Sequence, residues 1–108
     1  MGKDSAPSRA IARWVETRLP ALLRRHRVDA AYLFGSWARG EADSLSDVDL
    51  IVVAPSRRPF VDRFHDYPDL LRAPSSLELL IYTPDEFARE RRTNRFLRHV
   101  LREARRVA

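Results

Sequence analysis

The sequence predicts an α/β (α+β) fold: a small mixed sheet of about three to four strands, with helices packed mainly on one face. Three observations point to it. Stretches with helical spacing of apolar residues alternate with short apolar runs along the chain. The runs at 30–34 and 50–54 hold five residues each and suit strands covered on both faces. The chain has 108 residues and 44% hydrophobic content, enough for one domain, 1–108, with a core of its own.

The first element is a helix beginning near residues 6–8, behind a frayed start over 1–5, with Ser5 as its cap and Pro7 in its first turn. Ile11, Trp14, Val15, Leu19, Leu22 and Leu23 mark its apolar stripe. Pro20 predicts a break near 18–20, either as a kink or as the start of a second helix running to residue 27. His26 lies among Arg24, Arg25 and Arg27 and reads as a solvated last-turn residue.

Residues 28–34 read as the first strand, ended by Gly35. Residues 36–40 read as a short helix, 41–46 as a loop and 47–54 as the second strand, closed by Pro55. Helical spacing of Phe60, Val61, Phe64, Tyr67 and Leu71 predicts a helix over 60–71, interrupted at Pro68. Residues 77–82 are the third strand, with Leu77, Leu79 and Ile81 on one side and Glu78, Leu80 and Tyr82 on the other. Thr83, Pro84 and Glu86 start the next helix as a capping box, which pauses at Thr93-Asn94. A last helix over 95–107 shows Phe96, Leu97, Val100, Leu101 and Ala104 on one side.

The chemistry concentrates between 35 and 49. Gly35-Ser36 ends the first strand, ten residues follow, and Asp47-Val48-Asp49 opens the second. Alternation along a strand puts Asp47 and Asp49 on one face. Two carboxylates so placed repel each other, and a hard cation compensates them: Mg²⁺ is bound by one or two carboxylates plus substrate phosphates. Gly35 allows backbone to approach a phosphate, and Ser36 offers a hydroxyl and an N–H at the next helical turn. Together they describe a nucleoside triphosphate site. The plainer alternative is a capped turn between two core strands. Glu78 is a second clue. A charge within so apolar a strand is costly unless something pairs with it, or the strand lies at an edge with Glu78 in water.

The segments Gly35-Ser-Trp-Ala-Arg-Gly-Glu-Ala and Ser46-Asp-Val-Asp-Leu resemble the signature of the polymerase-beta-type nucleotidyltransferase superfamily. They are most similar to its minimal nucleotidyltransferase (MNT) group, and the resemblance runs from about residue 21 to the C-terminal helix. It implies the nucleotidyltransferase fold and transfer of AMP from ATP to a hydroxyl with two Mg²⁺ ions. It implies Asp47, Asp49 and Glu78 as catalytic and metal-holding residues, although relatives often carry Asp at the third position. It implies Gly35, Ser36 and Arg39 as nucleotide-binding residues; Arg39 could equally pair with Glu41 or Asp43. Trp37, next to the motif serine, reads as a packing residue. MNT proteins typically act with a HEPN-family helical partner, an RNase toxin that the MNT antitoxin modifies on a tyrosine. The resemblance therefore implies a protein adenylyltransferase antitoxin of a toxin–antitoxin pair. A catalytically silent binding module and a small-molecule nucleotidyltransferase are the alternatives.

Composition limits the remaining classes. The chain has no cysteine, which excludes a disulfide scaffold and a thiolate metal site and fits a cytoplasmic protein. No apolar run is long enough to span a bilayer, so no membrane contact is expected. Net charge is +5, and 19 of the 20 basic residues are arginine. Spread over the whole chain, they read mostly as solvated helix faces, and direct nucleic-acid contact is not expected.

Overall fold

A computed structural model describes residues 6–108. The frayed start and the Ser5 cap fall outside the described residues.

Ser8 caps α1 (Arg9–Arg13), its hydroxyl accepting the Ile11 N–H at 3.2 Å. A π-helical turn, Trp14–Arg18, joins α1 to α2 (Leu19–Arg25). The irregularity expected near 18–20 takes the form of this π turn, with no gap, and α2 starts at Leu19 with Pro20 in its first turn. Pro20 lacks an N–H and its ring crowds the turn before it. The helix widens there, the Leu19 N–H reaching back to the Trp14 carbonyl. The helix ends at Arg25, short of the expected 27; Arg27 follows in the left-handed region at φ 57°, and the Val28 N–H bonds back to the Leu23 carbonyl. That turn delays β1 to Ala30–Phe34.

Next come α3 (Ser36–Arg39), β2 (Val48–Val53), β3 (Leu77–Tyr82), α4 (Pro84–Thr93), α5 (Arg95–Leu101) and β4 (Arg105–Arg106). The sheet order is β3-β2-β1-β4. β1 is antiparallel to β2 and β4, and β2 is parallel to β3. The sheet is therefore mixed, as the sequence predicts. The last helix, expected to reach 107, stops at Leu101. The other edge of β1 needs partners for its backbone groups: Ala31 donates to Ala108 and accepts from Val107, at 3.2 and 2.9 Å.

The stretch 60–71 is not an α-helix. It forms two 3-10 segments, Phe60–Asp66 between Pro59 and Pro68, and Leu70–Arg72 beyond Pro68. The tighter winding changes the buried set to Arg63, Tyr67 and Leu70, leaving Phe60, Val61, Phe64 and Leu71 exposed. Arg63 donates to the carbonyls of Arg58 and Ile81, both at 3.0 Å, and both its terminal nitrogens meet the Glu86 carboxylate. His26 is not merely solvated: its Nε2 lies 2.8 Å from Asp69, with the Tyr67 ring edge-on to it.

Two apolar layers hold the sheet. Thirteen buried residues, among them Val15, Leu19, Leu23, Leu33, Leu50 and Leu70, join one sheet face to the N-terminal helices. Seven, including Phe34, Ile51, Tyr82, Phe87 and Leu97, join the other to α4 and α5. Most of the core thus lies under one face, while α4 and α5 also cover the second. No helix among the described residues is long and apolar enough to cross a membrane.

Candidate functional site

The site grows from strand register. Phe34, the last residue of β1, stands opposite Asp49 of β2, and Asp49 stands opposite Glu78 of β3. In-register partners point to the same side, so Phe34, Asp49 and Glu78 form one cross-strand row. That row lies on the face that α4 and α5 cover. Asp47 precedes β2 by one residue and is exposed. A local turn delivers it there: Asp43 Oδ1 accepts the Leu45 N–H at 2.9 Å and the Ser46 hydroxyl at 3.1 Å. Asp43 is thereby committed to the loop.

Gly35 forms the elbow between β1 and α3, at φ 72° and ψ −151°, a region essentially confined to glycine. A Cβ there would collide with the Asp49 carboxylate. Only glycine therefore lets the elbow close over the acid. Ser36 follows as the first residue of α3, and Gly40, at φ 72°, ends that helix. Arg39 donates from Nε to Glu41 at 2.9 Å, so of its alternatives the structure shows the Glu41 pair. That bond, opposed by desolvation and helped by Glu41, Glu103 and Asp49, holds the guanidinium more firmly protonated. Trp37 packs against the larger core, as read from the sequence, but its buried indole N–H has no hydrogen-bond partner among the described residues.

Burial, then the nearby charges of Glu78 and Asp47, push the Asp49 carboxyl up to about 6, against a smaller opposing pull from Arg39. β3 is an edge strand and Glu78 is exposed, as the plainer reading required; its register opposite Asp49 is what the functional reading required. The fold thus brings Asp49 beside Glu78 and closes Gly35 over Asp49. Among the described residues, no group of three or more acidic, histidine or cysteine side chains is drawn closely enough to hold a metal ion. The donor chemistry still suits a hard cation. The acids supply only oxygen donors, and burial beside Glu78 and Asp47 leaves the Asp49 carboxylate with a charge that a cation would offset. Asp47, Asp49 and Glu78 are the residues that would hold Mg²⁺.

One relation was not legible beforehand: Glu103, beyond α5, lies close enough to act on Arg39. No sequence signal ties positions 64 residues apart; only the return of the chain to pair with β1 does.

Residues 15–107 match the family of nucleotidyltransferase domains. No curated protein matches the chain. Among solved structures, a Sulfolobus solfataricus protein classed as a nucleotidyltransferase is similar, at 21% identity and a TM-score of 0.48, over 82% of this chain and 84% of that one.

Proposed function

The chain belongs to the family of nucleotidyltransferase domains, and from that premise we propose that it transfers AMP from ATP to a tyrosine hydroxyl of a HEPN-type protein partner. On this reading it is the antitoxin of a toxin–antitoxin pair. The observation that carries the catalytic part is the row formed by Asp49 and Glu78, with Asp47 two residues away and the Gly35-Ser36 elbow closed over Asp49. The pairing with a HEPN partner rests on the resemblance of Gly35–Gly40 and Ser46–Leu50 to the MNT pattern.

The elbow holds the triphosphate. Gly35 lets the chain approach it without a side chain in the way, and Ser36 offers its hydroxyl and N–H. Arg39, already beside Glu41, turns its remaining donors toward phosphate oxygens. Bound Mg²⁺ would neutralise the phosphates and lower the pKa of the acceptor hydroxyl. The acceptor oxygen bonds to the α-phosphorus as the bond from that phosphorus to pyrophosphate breaks. Glu78, exposed at the sheet edge, takes the hydroxyl proton on a carboxylate oxygen, and pyrophosphate leaves.

A second reading has one observation in its favour. The absence of a three-acid cluster at metal-holding distance among the described residues suits a silent domain that neutralises its partner by binding alone. Mass spectrometry of a co-expressed HEPN-type partner after incubation with Mg·ATP separates the two. The proposal expects the partner to gain AMP with the wild type and not with the Asp47→Asn, Asp49→Asn double variant. Neutralisation with no gain in mass would establish the silent domain.

A further inference from the structure

The arginines look scattered in sequence, but the fold gathers several of them. Arg95 and Arg98 of α5 and Arg102, the helical residue that caps its C-terminus, recur every three or four residues and so share one helix face. All three are exposed, as are His99 beside them and Arg91 of α4. Two shallow grooves of about 250 and 270 Å³ flank this face, and Arg98 and Arg102 line both. Arg95 and His99 complete one groove; Arg91 and Leu101 complete the other. Arg91 is held in place over the Phe87 ring, 5.2 Å from its centroid. None of the four arginines pairs with an acid among the described residues. The nearest acids in sequence are Glu90, bonded to Asn94, and Glu103 beyond the helix end.

We propose that this face of α5 binds the phosphate backbone of single-stranded nucleic acid, as a docking surface separate from the transfer chemistry. Guanidinium forks match phosphate oxygens, and the stripe runs along roughly 10 Å of helix. The composition argues against an acidic protein as occupant. A protein interface needs an apolar centre with charges at its rim, and here charge lines both grooves with Leu101 alone between them. Phe96 lines neither groove: 45% exposed and edge-on to Phe34 at 5.8 Å, it lies about a quarter-turn round α5 from Arg95, where a base of a strand laid along the arginines would reach it to stack.

Fluorescence anisotropy with a labelled oligouridylate of about a dozen nucleotides, without ATP or Mg²⁺, tests this apart from any transfer activity. The triple variant Arg95→Gln, Arg98→Gln, Arg102→Gln should bind at least tenfold more weakly in low salt. The slope of log K against log salt should flatten by about 2, near 0.7 per lost phosphate contact. The same positions changed to Lys should restore binding to within a few-fold. A control triple on the opposite sheet face, Arg13→Gln, Arg18→Gln, Arg25→Gln, removes equal charge and should leave affinity nearly unchanged. Circular dichroism checks that each variant is folded. Absent binding by the wild type, equal losses in the two triples, or polyglutamate or duplex binding as tight as the single strand would overturn the proposal.

Discussion

Gly35 carries two constraints at one position, and they fail together. Its backbone lies where only glycine is at ease, and its missing side chain leaves room for the Asp49 carboxylate. Gly35→Ala should cost about 1–3 kcal/mol of folding stability from the backbone alone. It should also displace Asp49, so ATP affinity falls further than the stability loss explains. Urea unfolding read beside nucleotide titration checks both. Asp49 predicts the opposite balance. Its charge is disfavoured by burial and by Glu78 and Asp47. Asp49→Asn should therefore leave the metal-free protein as stable or more stable, by about 1 kcal/mol, while abolishing transfer. A destabilised Asp49→Asn would mean that the carboxylate does structural work. Glu78→Gln, at an exposed edge position, should fold normally and lose turnover; normal turnover would make Glu78 a bystander.

At the scale of elements, the joint between the 3-10 segment Phe60–Asp66, β3 and α4 rests on Arg63. This buried guanidinium meets Glu86, which also closes the capping box by accepting the Thr83 N–H at 2.9 Å. Arg63→Ala should cost about 3–5 kcal/mol, because it strands polar groups in a buried joint. The Arg63 hydrogen bond, then the Thr83 backbone, lower the Glu86 carboxyl from 4.5 to about 2. A carboxyl lowered on folding contributes stability that is full above its unfolded value and lost as pH falls through its folded one. The window therefore runs from about pH 4.5 down to 2. With the Glu86 side chain 30% exposed, the contribution is on the order of 1–3 kcal/mol. Denaturation between pH 5 and 2 should show a steeper loss in the wild type than in Glu86→Gln. Thr83, Pro84 and Glu86 announced this helix start because caps are local chemistry. Arg63 was invisible, because its partners lie 18 and 23 residues on. The helix expected over 60–71 failed for a related reason: apolar residues at three- and four-residue spacing fit both windings, and the flanking prolines favoured the tighter one.

Across the whole molecule, what could be read in advance was what short-range periodicity carries. The strand–elbow–loop–strand order around Gly35 and Asp49, and the alternating faces of β3, follow from residues within a few positions of one another. β4 did not. Arg105 and Arg106 carry no strand pattern and become one only by pairing with Leu33 and Tyr32 along the other edge of β1. The placing of Asp49 beside Glu78 depends on a parallel crossover through 3-10 segments, which spacing alone does not fix. The basic face of α5 likewise emerges from helical geometry rather than from any run of charge. On the proposed function, the acidic row and the Gly35-Ser36 elbow jointly hold a divalent cation and a nucleotide. Electron paramagnetic resonance of Mn²⁺, titrated with and without a non-hydrolysable ATP analogue, tests it without needing to know the acceptor. Nucleotide-dependent Mn²⁺ uptake by the wild type, lost in the Asp47→Asn, Asp49→Asn variant, is the expected result; equal uptake by both would rule out the shared site.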